Sequence, residues 1–199
     1  NTRPVPRPFF VLATQNPIEM EGTYPLPEAQ LDRFLFRLFF DHLETTVLEQ
    51  ILYERRRGEL PAPRWQLEPE GLDFLFATLD RIYLPRAVSR YIARLVAATH
   101  PTGAEAPEEV RRYVAYGASP RAAIANAEAA RAHALLAGRP SVGFEDVRAV
   151  AEPALNHRLI LNYQARFDRV TASSLVHTLL QRVAETELDL PSDVELVRT

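Results

Sequence analysis

Three side chains stand where this chain could recognise a phosphate group: Asn16, Arg33 and Arg121. Asn16 follows the apolar run Phe9 to Ala13, which predicts a buried strand. In an open parallel sheet, ligand-binding groups lie just past the carboxyl ends of the strands. Pro17 disfavours helical backbone at Asn16, so the amide is expected to project from a turn. A neutral amide there can orient an attacking water, although an Asn-Pro pair standing alone is also a common turn former.

Arg33 lies between a short predicted helix that ends near Asp32 and a second apolar run, Phe34 to Phe40, which predicts another strand. The planar guanidinium of arginine matches the geometry of a phosphate. By its chemistry alone, Arg33 is better interpreted as a surface arginine paired with Asp32 or Glu28, a contact that contributes about 0–1 kcal/mol. Arg37, within the second apolar run, is the next candidate for phosphate recognition.

Arg121 occupies the first turn of a predicted helix, with Ser119 as its N-cap and Pro120 as its first residue. The helix is expected to continue to Ala137 and to end at Gly138. Cations are disfavoured at a helix N-terminus, whereas anions are attracted there, so Arg121 needs an anionic partner. Both an acidic side chain of the protein and a bound phosphate satisfy that requirement.

The composition is that of a globular protein and excludes several function classes. The chain has 199 residues, 47% hydrophobic residues, no cysteine and a net charge of −3. Without cysteine there is no disulfide or thiol chemistry, and the acidic balance argues against a nucleic-acid binder. No apolar run approaches the roughly 20 residues needed to span a bilayer, so membrane insertion is not expected. The histidines show no metal-ligand spacing, so no metal site is predicted.

All 23 positively charged residues are arginine. A Walker A loop needs a lysine that reaches the β- and γ-phosphates, so this chain carries no such loop. No apolar strand ends in an Asp-Glu pair that could hold magnesium. We therefore interpret the sequence as the C-terminal part of a longer protein, with the nucleotide-cradling half upstream.

Beyond Asp41 the sequence changes to helical periodicity, which places a domain boundary there. In this region Trp65 is interpreted as a core residue. A short helix or turn is expected from Glu109 to Tyr116. Pro153 is expected to kink or break the helix that contains it. Helices are predicted over residues 44–57, 70–81, 85–99, 120–137, 144–150 and 172–185.

Five sequence words carry a family resemblance: ATQNP, EMEGTYPLPEAQLDRF, GASPRA, LLAGRPSV and NHR. Together they resemble the AAA+ ATPases, and within them the MoxR family. The resemblance implies that Asn16 is sensor 1, Arg33 the arginine finger and Arg121 sensor 2. Glu21 lies in the loop that marks the family; a solvated acidic loop is the alternative there.

The fold implied by the resemblance is mainly α with a small α/β part. Residues 1–41 would form the end of a P-loop core, residues 42–189 an all-helical lid, and residues 190–199 a frayed tail. ATP and Mg²⁺ are the implied cofactors, bound mainly by residues upstream. Asn16 and Arg121 would sense the nucleotide of their own subunit and Arg33 that of the next, although sensor 2 acts in trans in some relatives.

The activity implied by the resemblance is ATP hydrolysis by a cytoplasmic ring that remodels or matures a client protein. The implied ring is the hexamer typical of AAA+ proteins. The client is unknown, and a partner with a von Willebrand factor A domain is implied. This chain by itself is not expected to hydrolyse ATP. Two alternatives remain open: a subunit of the magnesium chelatase type, which shares the AAA+ chemistry, and a helical interaction module without a nucleotide role.

Overall fold

The computed structural model describes residues 4–5, 9–15, 26–40, 42–54 and 62–186, which form short and medium helices and two short strands. This mainly helical architecture with a small sheet confirms the predicted fold class. The helices and strands in chain order are α1 (Glu28–Leu31), α2 (Thr45–Glu54), α3 (Pro69–Leu79), α4 (Arg86–Ala98), α5 (Glu108–Tyr113), β1 (Val114–Tyr116), α6 (Pro120–Leu136), α7 (Phe144–Leu155), β2 (Ile160–Leu161), α8 (Tyr163–Phe167) and α9 (Ala172–Arg182).

The chain divides into two compact units. The first comprises residues 1–23 and 38–80, and the second comprises residues 24–37 and 81–199. The division differs from the predicted boundary after Asp41, because residues 24–37 fold with the helical unit. The assignment of a core domain and a lid domain on either side of Asp41 stays a prediction.

In the first unit, α2 and α3 form where helical periodicity predicts them, but neither contains a buried residue. Most of the large apolar side chains of both helices stay exposed, because few described residues cover them. One contact within the unit is a stacked pair of rings, Phe10 and Phe76, with centroids 6.3 Å apart. The interpretation of Trp65 as a core residue is wrong, because this side chain is 76% exposed.

The predicted strands at Phe9 to Ala13 and Phe34 to Phe40 are also wrong for this structure. The described residues of both runs form no strand, and most of their large apolar side chains, such as Leu12 and Phe40, are exposed. An apolar run becomes a buried strand only where neighbouring strands complete its hydrogen-bond ladder and cover its faces. No such ladder partner for either run lies among the described residues.

The second unit has a continuous hydrophobic core among α4, α6, α7 and α9. Helix α6 packs most extensively against α7. The buried side of α6 consists largely of alanine, which allows the two helix backbones to approach closely because there is little side chain between them. The largest fully buried apolar side chains of this core are Tyr91, Leu95, Leu155, Leu175 and Leu179.

Helix α6 begins and ends as the sequence predicts. The Ser119 Oγ accepts a hydrogen bond from the Arg121 N–H at 3.3 Å, which is an N-cap contact. Pro120 is the first helical residue. At the other end Gly138 has φ +70°, a left-handed backbone conformation that glycine adopts without a steric cost. The N-terminus that carries Arg121 is therefore held in a defined position.

A buried carboxylate joins the end of α6 to the start of α7. The side chain of Asp146 accepts the Gly143 N–H at 2.7 Å and contacts His133 Nδ1 at 2.6 Å and the Arg139 guanidinium. Burial by itself would raise the pKa of Asp146, but the bonds from Arg139, His133 and Gly143 outweigh it and hold the pKa below its usual value. The LLAGRPSV and GFED segments thus fix the angle between the two helices.

Two local predictions need correction. Helix α7 continues through Pro153 to Leu155, so the proline does not break the helix. The Pro153 carbonyl lies in the last turn and accepts the Arg37 N–H at 2.9 Å. The segment from Glu109 to Tyr116 is helical only to Tyr113 and then forms β1, which pairs antiparallel with β2. The remaining helix ends differ from the predicted ones by a few residues.

Removal of a core side chain should destabilise the second unit strongly. Leu179 is fully buried between helices, so we expect Leu179→Ala to lower the free energy of unfolding by about 2–5 kcal/mol. Leu136→Ala is the matched control, because Leu136 is 88% exposed at the end of α6 and should change the value by less than about 0.5 kcal/mol. Urea unfolding followed by circular dichroism measures both, and equal effects would contradict the described core.

Candidate functional site

The carboxylate of Asp32, just after α1, is the centre of a polar cluster in the second unit. Its oxygens accept hydrogen bonds from the Ser119 Oγ at 3.0 and 2.9 Å, from Arg121 Nη1 at 3.2 Å and from Arg158 Nε at 3.2 Å. Burial by itself would raise the pKa of Asp32, but the hydrogen bonds from Ser119 and Arg121 and the charge of Arg158 outweigh it and lower the pKa. The carboxylate is therefore ionised at neutral pH.

Arg158, just after α7, is the most deeply buried charged partner in this cluster, with a side-chain exposure of 2%. Besides the carboxylate, its guanidinium bonds to main-chain carbonyls: Asp32 O at 3.1 Å, Phe34 O at 2.6 Å, Leu35 O at 3.3 Å and the carbonyl of Ala154. Burial lowers the pKa of Arg158 while Asp32 raises it, and an arginine stays charged in either case. The buried charge is thus satisfied almost entirely by one short segment.

The two residues before Arg158 bind the same segment. His157 Nε2 contacts the Phe34 carbonyl at 3.1 Å, and Asn156 Nδ2 donates to the Arg37 carbonyl at 3.0 Å. The NHR word of the sequence therefore contacts the backbone on both sides of Arg33. This is a structural role that the sequence pattern did not reveal.

The tautomer of His157 follows from its partners. A carbonyl only accepts, so Nε2 carries the hydrogen and donates it to Phe34 O. The Nδ1 atom is buried and has no hydrogen-bond partner among the described residues, so a proton there would be buried without an acceptor. Burial and the nearby Arg158 charge lower the pKa of His157 accordingly. We conclude that His157 is neutral in the folded protein at pH 7.

Arg33 is exposed and follows Asp32 directly. Its alternative role as a surface partner of Asp32 or Glu28 is not realised: within the described part of the chain, the Arg33 side chain forms no ion pair. Arg37 differs from Arg33, because its main chain is hydrogen-bonded at both groups. Its N–H donates to the Pro153 carbonyl, and its carbonyl accepts from Asn156 Nδ2. The role of an arginine finger stays a prediction for both residues.

Arg121 does have the acidic protein partner that its position at the helix N-terminus requires. The bond to Asp32 is partly open to water, because the Arg121 side chain is 63% exposed. Arg121 thus bonds to the carboxylate of Asp32, the residue that directly precedes Arg33 in the chain. The two other predicted site residues, Asn16 and Glu21, lie outside the described residues.

Asp32, Ser119 and Arg158 are site residues whose joint role the sequence did not predict. The sequence identifies Ser119 only as an N-cap and Arg158 only as part of a family word. The signal that could have found them is the sequence LDRF, in which an acid directly precedes the candidate finger and needs a counter-ion. Arg158 is 126 positions away from Asp32, so no local spacing identifies the pair.

The described residues contain no group of three or more histidine, aspartate or glutamate side chains placed to bind a metal ion. No helix in this part of the chain has both the length and the apolar character of a membrane span.

Two family models match the chain. Residues 107–179 match the AAA lid domain, and residues 1–36 match the ATPase family associated with various cellular activities (AAA). The lid match covers α6, α7 and the NHR word, whereas the AAA match covers Asn16, Asp32 and Arg33. The polar cluster thus joins residues from two family regions.

Several relatives with similar sequences carry MoxR names. Chaperone MoxR1 of Mycobacterium tuberculosis is 40% identical over 184 residues, which cover 92% of this chain and 48% of that protein. The uncharacterized protein YeaC of Bacillus subtilis is 37% identical over 182 residues, which cover 88% of this chain and 52% of that protein. A crystal structure of a candidate ATPase from Cytophaga hutchinsonii has a TM-score of 0.80 and 36% identity, covering 92% of this chain and 56% of that one. The chain spans about half the length of these relatives.

The neutral state of His157 predicts a pH dependence of stability. Because its pKa is lowered on folding, the unfolded chain takes up a proton first as the pH falls below about 6.5, and the folded state loses stability. Glutamine can still donate to the Phe34 carbonyl but does not titrate, so His157→Gln should flatten the decline between pH 7.5 and pH 5. Urea unfolding across this range measures it. His177→Gln, at an exposed position, is the control and should keep the wild-type slope; a wild-type slope for His157→Gln would contradict the assignment.

Proposed function

The chain belongs to the MoxR family of AAA+ ATPases, and from this premise we propose that it supplies phosphate-sensing arginines to a ring-forming ATPase that remodels or matures client proteins. The observation that carries the proposal is the pair of exposed arginines around Asp32: Arg33 is the next residue in the chain, and Arg121 is hydrogen-bonded to its carboxylate. The name of the Mycobacterium tuberculosis relative, a chaperone, supports the remodelling role.

The bond between Arg121 and Asp32 is suited to exchange. An ion pair with an exposed arginine contributes about 0–1 kcal/mol, whereas a phosphate offers several charge-assisted hydrogen bonds to a guanidinium. When Arg121 turns to a phosphate, the carboxylate keeps its bonds from Ser119 and Arg158. The loss of Arg121 therefore does not leave Asp32 as an unpaired charge.

The position of Asp32 supports a single phosphate for both arginines, because Asp32 is bonded to Arg121 and directly precedes Arg33. We propose that Arg33 acts in trans on the nucleotide of the neighbouring subunit, and Arg121, which bonds to the preceding residue, is best placed to reach the same nucleotide. The expectation that Arg121 senses the nucleotide of its own subunit is the alternative, and the mixed-ring experiment below separates the two. Asn16 keeps the proposed role of positioning water in its own subunit, and Glu21 and Arg37 stay lower-ranked candidates.

The proposed cofactors are ATP and Mg²⁺, bound mainly by residues upstream in the complete protein. ATP supplies the γ-phosphate that is transferred to water, and the arginines offset the negative charge that develops on it. We propose that the complete protein is a homohexamer located in the cytoplasm. Its proposed partner is a protein with a von Willebrand factor A domain, and no nucleic-acid ligand is proposed. The residues of this chain, which include no lysine, are proposed to be inactive by themselves.

The first test is the loss of the finger in the full-length protein. Arg33→Ala should lower kcat for ATP hydrolysis by about 10³-fold or more, because an arginine finger stabilises charge in the transition state. Arg182→Ala is the matched control, since Arg182 is an exposed arginine whose partner, Glu109, lies 3.5 Å away on the surface. A steady-state phosphate-release assay measures both variants. Full activity of Arg33→Ala would refute the proposed role.

Mixed rings test which subunit each residue serves. Asn16→Ala and Arg33→Ala subunits, each inactive alone, should regain activity when mixed, because some interfaces then combine an intact Asn16 with an intact Arg33. If Arg121 acts in trans, Arg121→Ala subunits should also regain activity with Asn16→Ala but not with Arg33→Ala. Recovery in the Arg121→Ala and Arg33→Ala mixture would instead assign Arg121 to its own subunit's nucleotide.

A further inference from the structure

We propose that Arg158 is a positioning residue for the arginine finger: together with Asp32 it fixes the backbone from which Arg33 projects. This inference rests on the proposed function of Arg33. The observation behind it is the distribution of the Arg158 bonds, which reach the carboxylate and carbonyl of Asp32 on one side of Arg33 and the carbonyls of Phe34 and Leu35 on the other.

Only a guanidinium can form this arrangement. It presents five N–H donors in one plane, so a single rigid group can bond several acceptors along a bent segment, whereas a lysine offers a single ammonium on a flexible stem. The side chain is 2% exposed, so water does not compete for these bonds. His157 and Asn156 extend the hold to Phe34 and Arg37.

The segment that is held has no helix or strand of its own beyond α1. The N–H groups of Asp32, Arg33 and Phe34 bond back to carbonyls of α1, at 2.9, 3.1 and 3.0 Å. The carbonyls that follow have no such partners in α1, and Arg158 supplies the donors to Phe34 and Leu35. Burying a charge is costly, and an apolar residue would serve core stability at least as well. Here the buried charge bonds almost entirely to the backbone around Arg33 and leaves that side chain exposed. A displacement of about 1 Å in a catalytic group costs roughly 10² in rate, which makes such a clamp consequential.

The test uses the full-length protein and the mixed-ring assay. Arg158→Gln should lower kcat by about 10²-fold with little change in KM, because the nucleotide pocket of the same subunit stays intact. Arg158→Gln subunits should regain activity when mixed with Asn16→Ala subunits and should fail to do so with Arg33→Ala subunits. A generally destabilised subunit would recover with neither partner, so this pattern separates positioning from folding.

A matched control lies on α7, the helix that precedes Arg158. Arg148, in α7, is a half-exposed arginine paired with Glu185 at 3.2 Å, and Arg148→Gln should keep full activity. Should Arg158→Gln fail to assemble, Asp32→Asn removes the charge of the partner with almost no change of shape and should show the same recovery pattern. Amide hydrogen exchange gives an independent readout: the Arg37 N–H, bonded to Pro153 O at 2.9 Å, should exchange faster in Arg158→Gln and unchanged in Arg148→Gln.

The possible failures are distinguishable. Full activity of Arg33→Ala overturns the proposed function of the finger. A defective Arg33→Ala together with a fully active Arg158→Gln overturns the positioning role alone. Recovery of activity when Arg158→Gln is mixed with Arg33→Ala would also overturn it, because Arg158 would then serve the nucleotide of its own subunit.

Discussion

The buried charge of Arg158 is the constraint around which the second unit's polar site is arranged. A guanidinium removed from water must find acceptors for its N–H groups, and the cost of failure is several kcal/mol. The end of α7 provides the Ala154 carbonyl, and the segment after α1 provides the others. Residues 24–37 thus fold with the helical unit, and their conformation depends on a residue far along the chain.

The same reasoning explains why Asp32 is ionised although it is partly buried. Three donors, Ser119, Arg121 and Arg158, surround one carboxylate, and they differ in exposure. The buried Arg158 is a fixed partner, while the exposed Arg121 is a replaceable one. A carboxylate with a surplus of donors can release one cation to a ligand at little cost, and this is the physical basis of the sensing role proposed for Arg121.

The sequence correctly predicted the features that neighbouring residues determine. The cap at Ser119, the stop at Gly138 and the periodicity of α4, α6, α7 and α9 were readable from the sequence, because neighbouring residues decide them. The strands at Phe9 to Ala13 and Phe34 to Phe40 were not, because a strand depends on partners elsewhere. The helices α2 and α3 illustrate the same point. Their periodicity predicts a helix with an apolar face, but it does not predict which residues cover that face.

The same distinction between local and long-range determinants applies to the site residues. Arg33 and Arg121 could be singled out, because a family word or a helix terminus marks each of them. Their connection could not, since it passes through Asp32 and through Arg158, which is 126 positions away. A cation at a helix N-terminus indicates that an anion is nearby without saying which one. In this structure the anion is Asp32, which directly precedes Arg33 in the chain. That adjacency, which neither motif contains, is the reason for proposing that both arginines contact one phosphate.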